Sequence, residues 1–269
     1  MNPSFAARRL VERATWNWVF TRRLPSNFGD APIFVTPSAG LKYLAKPMAD
    51  IDPSLLRCAH QLVRRGDVVW DIGANVGLFT FAAAACSGAK GEVFGFEPDS
   101  WLVQLLRRSC TIQPETSAPV TIIPAAVASD VSLRSFTIAS RSRASNAMSE
   151  YGHSQMGEGL EKQTIVALSL KWCAEHLPPP NVIKCDVEGA EVEVFSGQSK
   201  IWSEIRPIVI CEVGGESASQ MTAIFARERY RLFDGQKPLS AETETRRACW
   251  NTVGIPEERL QQYIPAGPN

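Results

Sequence analysis

From Gly66 onward, short apolar runs alternate with segments whose apolar residues have helical spacing. Such alternation is the signature of βαβ units, and it predicts an α/β fold built on a parallel sheet. The predicted strands are Asp67–Ile72, Glu92–Phe96, Val120–Val127, Thr164–Leu168, Val182–Val187, Ile208–Val213, Tyr230–Phe233 and Cys249–Ile255, with Ser132–Ala139 in an additional hairpin. The predicted helices cover Val76–Cys86, the residues after Asp99, Ser169–His176, the residues from Ala190, and Ser217–Arg229.

The composition excludes several classes of protein. Hydrophobic residues make up 45% of the 269 residues, enough to bury a substantial core. Lys plus Arg is 28 and Asp plus Glu is 28, so the chain has no global basic field, which argues against nucleic acid as the main partner. No apolar run reaches the ~18 residues needed to span a bilayer. The seven cysteines form no C-x-x-C pair, which indicates a reducing, cytoplasmic compartment.

Residues 1–64 are predicted to form an N-terminal extension of helix and hairpin. The first part mixes Trp and Phe with arginines, as in a helix that packs on its own domain or on a partner subunit. Contact with a membrane surface and an organelle address are alternatives. Residues 33–35 and 41–44 predict a short hairpin. Asp52, as the N-cap, predicts a helix over 52–63.

The segment 140–163 interrupts the main domain, which is predicted to cover 65–256 before a tail over 257–269. It is polar, rich in Ser and Gly, and without periodicity, which is typical of a functional lid or a disordered loop. His153 lies in this segment. A neutral imidazole is a natural base for deprotonating an alcohol near pH 7, so His153 is a candidate catalytic base, although a lone loop histidine is more often a surface residue.

The sharpest local signal is the run VVWDIGANVG over 68–77, where a strand enters a glycine-containing turn that opens a helix. Gly73 would let the backbone bend, and Gly77 would let helix and strand approach closely. Asn75 stands where a dinucleotide fold needs a glycine for its pyrophosphate. The turn therefore suits a ligand without a pyrophosphate, such as an adenosyl sulfonium, and a plain tight turn is the alternative. Asp71, Gly73, Asn75 and Gly77 are the candidate cofactor contacts.

Glu97 lies at the end of the second predicted strand, 20 residues past Gly77. A carboxylate in this position accepts hydrogen bonds from ribose hydroxyls. The alternative is that Glu97 caps a helix, but Asp99 already fills that role. Ala126, near the end of the third predicted strand, is a further candidate cofactor contact.

Two acids, Asp186 and Glu212, should meet at the carboxyl edge of adjacent strands. They are candidate catalytic residues that could position a hydroxyl, accept its proton or share a divalent metal. Alternatively, Asp186 holds the backbone amides of the turn that follows it. Lys184 is predicted to form a buried ion pair with Asp186, while Glu191 and Glu193 are predicted to be solvated. No metal ligands are assigned.

Four segments in order carry a family resemblance: Asp71–Gly77, Phe96–Pro98, Ile183–Glu191 and Pro207–Glu212. Over roughly residues 40–256 the chain resembles the FkbM family of class I S-adenosylmethionine-dependent methyltransferases. The resemblance implies a doubly wound Rossmann-like sheet with its last strand antiparallel, S-adenosyl-L-methionine as cofactor, and methyl transfer, usually to an alcohol oxygen. The family often has Leu-Asp before the helix that leads to the fourth strand, where this chain has Leu168-Ser169, and serine can also cap that helix. Cys185 replaces an aliphatic residue and is predicted to lie in the core.

We therefore predict O-methylation of a small molecule such as a sugar or polyketide. Alignment of acceptor oxygen, methyl carbon and sulfur can by itself supply ~7–11 kcal/mol. An N-methyltransferase acting on a protein or other amine is an alternative, but it would favour an Asn/Asp-Pro-Pro-aromatic turn where this chain has Asp186-Val-Glu-Gly. An NAD-dependent oxidoreductase is disfavoured by Asn75, and a non-catalytic binding module is a further alternative. Homo-oligomerisation is left open.

Overall fold

A computed structural model describes residues 14–139, 143, 147–148, 159–197 and 200–264. The strands in these residues are β1 Phe20–Arg23, β2 Pro32–Val35, β3 Val68–Ile72, β4 Glu92–Phe96, β5 Val120–Ile123, β6 Ala126–Ala128, β7 Ser132–Ala139, β8 Ala147–Met148, β9 Gly159–Ser169, β10 Val182–Cys185, β11 Ile208–Glu212, β12 Tyr230–Asp234, β13 Glu244–Thr245 and β14 Asn251–Pro256. The α-helices are α1 Lys42–Ala45, α2 Pro53–Leu62, α3 Leu78–Ser87, α4 Ser100–Cys110, α5 Leu170–His176, α6 Glu191–Ser196, α7 Ala218–Arg227 and α8 Leu260–Tyr263.

The main sheet has eight strands in the order β13-β12-β14-β11-β10-β3-β4-β5. The strands from β11 through β10, β3 and β4 to β5 are parallel, whereas β14 runs antiparallel to both of its neighbours. The direction of winding reverses between β3 and β10, which is the switch point where open α/β sheets bind ligands. The predicted doubly wound α/β sheet with an antiparallel last strand is confirmed.

Alternate residues of the sheet strands face two separate hydrophobic layers. Val69 joins the layer formed with α2, α3 and α4, and its neighbour Trp70 joins the layer formed with α5, α6 and α7. Because helices cover both faces of the parallel sheet, residues that point to either face are apolar, and the central strands are continuous apolar runs in the sequence. Cys185 is fully buried among these residues, as predicted. All seven cysteines lie in the described residues as free thiols.

The N-terminal extension differs from the prediction in its pairing. β2 pairs with β1, not with residues 41–44, because residues 42–45 form the single turn α1. The expected hairpin is wrong because the Thr36 hydroxyl accepts a hydrogen bond from the Ser38 amide and starts a 3₁₀ turn instead of a strand reversal. The predicted cap of α2 is confirmed, since the Asp52 carboxylate accepts from the Leu55 amide at 2.9 Å.

A second sheet, with strand order β6-β9-β7-β8, lies against the carboxyl edge of the main sheet. The predicted strand Val120–Val127 is two strands, β5 in the main sheet and β6 in the second sheet. The break falls at Pro124, which has no amide hydrogen to continue the hydrogen-bonded ladder. Parts of the predicted lid 140–163 also belong to the second sheet, because β8 lies within that segment and β9 begins there at Gly159. Within the described ranges, none of the helices is long and apolar enough to span a membrane.

Candidate active site

A cleft opens at the carboxyl ends of β3, β4 and β10, and the second sheet forms its outer wall. The space between its walls is about 590 Å³ when the part that is open to solvent is included. The predicted site residues along its walls are Gly73, Asn75, Glu97, Ala126 and Asp186. The structure thus brings together residues from four separate segments of the sequence.

The turn after β3 is shaped by two glycines with left-handed backbones, at φ 78° for Gly73 and 89° for Gly77. A Cβ on Gly73 would lie 1.9 Å from the backbone oxygen of Asp186, so only glycine lets the two turns touch. A Cβ on Gly77 would meet the side chains of Phe81 and Leu106. The atoms nearest to that Cβ belong to α3 itself and to α4, so Gly77 lets these two helices lie close together, and the predicted helix–strand approach stays a prediction. Gly77 starts α3 behind the cleft wall.

Glu97 is held in the cleft by two backbone amides. Its Oε2 accepts from the Asn75 amide at 2.8 Å and its Oε1 from the Asp99 amide at 2.9 Å. Burial raises the pKa of Glu97 to about 8. Each carboxylate oxygen has a second acceptor position, so the side chain can still receive hydrogen bonds from the hydroxyls of a ligand. In the described part of the chain, the buried Oδ1 of Asn75 has no hydrogen-bond donor, which adds a third acceptor at this wall.

Asp71 lies behind the turn and does not line the cleft. Its Oδ2 accepts from the Thr80 hydroxyl at 2.6 Å, and its Oδ1 lies 3.1 Å from Nζ of Lys184. Burial raises the pKa of this fully buried carboxyl. Lys184 was expected to pair with Asp186, but that carboxylate is farther from Nζ, at 3.8 Å. The principal partner of Lys184 is therefore Asp71.

The turn after β10 is held by Glu191. Its Oε1 accepts from the amides of Val187 at 3.3 Å and Gly189 at 3.0 Å, and the residue is only 2% exposed. The prediction that Glu191 is solvated is wrong, because α6 begins at this residue and directs its side chain back under the turn. Glu193 is also engaged, with Ser129 at 2.9 Å and Arg134 at 3.1 Å, so its predicted solvation is wrong as well.

Because Glu191 holds the turn amides, Asp186 remains directed to the cleft wall, next to Glu188. Burial and the neighbouring acids raise the pKa of Glu188 to about 8. Burial, followed by the charges of Asp186 and Glu188, also raises the pKa of Glu212, which ends the adjacent strand β11 but does not line the cleft. No group of three or more His, Cys, Asp or Glu side chains in the described residues is arranged to hold a metal ion.

Arg143 is a cleft residue that the sequence did not single out. Its Nη1 lies 2.5 Å from Oδ2 of Asp99, and its guanidinium lies 5.3 Å from the ring of Trp16 and 5.9 Å from that of Trp101. No periodic signal could have identified one arginine within a polar segment. His153, the candidate base, lies outside the described residues.

Comparison with known proteins identifies similarities in both sequence and structure. A family model described as the methyltransferase FkbM domain matches residues 71–232. The hexuronic acid methyltransferase AglP of Haloferax volcanii is 26% identical over 180 residues, which are 66% of this chain and 69% of that protein. A methyltransferase FkbM from Methylobacillus flagellatus aligns with a TM-score of 0.44 at 15% identity, covering 74% of this chain and 49% of that one. An S-adenosylmethionine-dependent O-methyltransferase from Thermotoga maritima aligns with a TM-score of 0.43 at 13% identity, covering 84% and 74%.

Proposed function

The chain belongs to the FkbM family of methyltransferases, and on that premise we propose that it transfers a methyl group from S-adenosylmethionine to a hydroxyl of a small acceptor, with a sugar as the favoured class. The family fixes the enzyme class and the cofactor. The similarity to a protein named for hexuronic acid supports a sugar acceptor. The zero net charge supports an acceptor other than nucleic acid.

The observation that carries the proposal is the geometry of Glu97. Two backbone amides fix its carboxylate at the cleft wall, with acceptor positions left for the two ribose hydroxyls. Glycine at 73 lets the turn after β3 touch the turn after β10, and Ala126 lines the cleft from the second sheet. When bound, S-adenosylmethionine supplies an electrophilic methyl group on a sulfonium.

The acids that follow β10 are placed to act on the acceptor hydroxyl. Asp186 and Glu188 line the cleft together, where a carboxylate can orient a hydroxyl and take its proton. With a pKa of about 8, Glu188 can hold a proton near neutral pH. The second sheet covers part of the cleft and so limits the access of water, which favours alignment of the reacting groups. Glu212 and His153 remain candidates for the base.

The test is a screen with S-adenosylmethionine carrying an isotope-labelled methyl group. Hexuronic acids, their glycosides, neutral sugars and amine-containing compounds are incubated with the purified protein, and products are detected by mass spectrometry. We expect labelled methyl groups on hydroxyl oxygens of a sugar, and much less label at limiting cofactor concentration when Glu97→Ala replaces the wild type. Label found only on nitrogen would favour the N-methyltransferase alternative instead.

A further inference from the structure

Lys184 is a cation buried between two turns: the cofactor turn, residues 73–77 after β3, and the turn of residues 186–190 after β10, which carries the cleft acids. The residue is 5% exposed, and its Nζ donates to the backbone oxygen of Gly73 at 2.7 Å. The same atom lies 3.1 Å from Oδ1 of Asp71 and 3.8 Å from Oδ2 of Asp186. One ammonium group thus contacts the turn after β3, the carboxylate behind it and the carboxylate that follows β10.

The two turns that Lys184 joins are in direct backbone contact. The Asp186 amide donates to the oxygen of Ile72 at 3.1 Å, and there is no room for a Cβ on Gly73 against the Asp186 oxygen. The position of the turn at Gly73 therefore constrains the position of Asp186. Both residues line the cleft, one on the side of the cofactor turn and one on the side of the acids.

Two explanations account for a buried lysine here. In the first, Lys184 only neutralises Asp71, since an unpaired buried carboxylate is strongly destabilising. In the second, its hydrogen bond to the Gly73 oxygen and its approach to Asp186 align the two sides of the cleft. Neutralising Asp71 would require only one contact of the ammonium group. Lys184 also donates to the backbone oxygen of Gly73, and this distance is shorter, at 2.7 Å.

We propose that Lys184 is a positioning residue that fixes the cofactor turn at Gly73 relative to Asp186. The role of Lys184 toward Asp186 rests on the proposed function, whereas its role toward the cofactor turn does not depend on the acceptor. Lys184 itself does not line the cleft, so it acts through these two residues.

The test separates charge compensation from positioning. Lys184→Met alone leaves Asp71 buried without a counter-charge, so the informative variant is Asp71→Asn with Lys184→Met, which removes both charges. For this double variant the melting temperature should return close to that of the wild type. The dissociation constant for S-adenosylhomocysteine, measured by titration calorimetry, should stay about tenfold weaker, the size expected when a hydrogen bond from a charged donor is lost.

Lys90→Met, at an exposed lysine, is the matched control and should change neither quantity. The proposal would be overturned if the double variant recovered both the wild-type melting temperature and an S-adenosylhomocysteine affinity within about twofold of the wild type. Lys184 would then be only a counter-charge. If the double variant does not fold, Lys184→Arg keeps the charge with a planar group that cannot reproduce the same contacts. Unchanged affinity in that variant would overturn the proposal equally.

If the acceptor screen identifies a substrate, kcat gives a second measurement. The double variant should then lose kcat as well as cofactor affinity, because Asp186 has lost its neighbour. Failure to find an acceptor leaves the S-adenosylhomocysteine measurement intact, so the two proposals can fail separately.

Discussion

At the scale of single residues, the acids near the cleft differ in what satisfies their oxygens. Glu97 and Glu191 each accept hydrogen bonds from two backbone amides. Asp71 instead accepts a hydrogen bond from the Thr80 hydroxyl and forms an ion pair with Lys184. In each case burial raises the pKa, and the donors oppose that effect by favouring the charged form. Residue type alone does not reveal these differences, because the donors come from backbone brought together by the fold.

Glu97 gives the first prediction. Replacing it with Ala removes the acceptors for ribose, so affinity for S-adenosylhomocysteine should fall at least about tenfold. Glu97→Gln should also weaken binding, because one of its two oxygens becomes an NH₂ group that faces a backbone amide donor. Titration calorimetry measures both. Glu92→Gln, at the exposed opposite end of β4, is the matched control, and equal affinity of Glu97→Ala and wild type would refute the ribose assignment.

Asp186 gives the second prediction, which depends on the acceptor found in the screen. Asp186→Asn keeps the shape of the side chain but cannot take a proton, so kcat should become undetectable while S-adenosylhomocysteine affinity stays within about twofold of the wild type. Asp130→Asn, at an exposed carboxylate, is the control. Full activity of Asp186→Asn would assign this residue a structural role only.

At the scale of elements, the strands between helices could be read from the sequence and the pairings outside the main sheet could not. β4 has the predicted bounds, because its apolar run is flanked by clear turn residues. β6, in contrast, pairs with β9 through Ala126 and Ala167, 41 positions apart, and no local pattern encodes that choice. The turn after β10 was misjudged for the same reason, since the burial of Glu191 depends on where α6 begins.

Glu191 gives a prediction at this scale. Only its Oε1 accepts the amides of Val187 and Gly189, and its buried Oε2 has no partner in the described residues. Glu191→Gln retains an accepting oxygen, so its free energy of unfolding should stay within about 0.5 kcal/mol of the wild type, whereas Glu191→Ala should lose about 1–3 kcal/mol. Urea unfolding followed by circular dichroism measures both. Equal losses in the two variants would show that the amides do not depend on this oxygen.

At the scale of the whole molecule, the cleft combines a part that sequence can predict with a part that it cannot. The ends of β3, β4 and β10 must meet at one edge because parallel strands share a direction, so Glu97 and Asp186 could be placed together in advance. The outer wall comes from the second sheet, whose position follows from long-range strand pairing, and from Arg143, which contacts Asp99. Burial beneath that wall raises the pKa values of Glu97 and Glu188, so the stability of the entire fold should depend on pH.

The final prediction is that the free energy of unfolding falls as pH rises between about pH 5 and pH 8. Glu97 and Glu188 have pKa values of about 8 in the folded protein, against an ordinary value of 4.5. In this range the folded state therefore holds protons that the unfolded state has released, so raising the pH favours unfolding. Glu258, whose bond with Arg206 lowers its pKa to about 2, titrates below this range and does not oppose the trend.

Urea unfolding across that pH range measures the slope, and Glu188→Gln identifies its origin. Removing one titrating group should make the decline shallower by up to about 1.4 kcal/mol per pH unit. Glu92→Gln, at an exposed acid, should leave the slope unchanged. A stability that is constant or rises with pH would contradict the prediction, because it would mean that these carboxyls are already ionised beneath the second sheet.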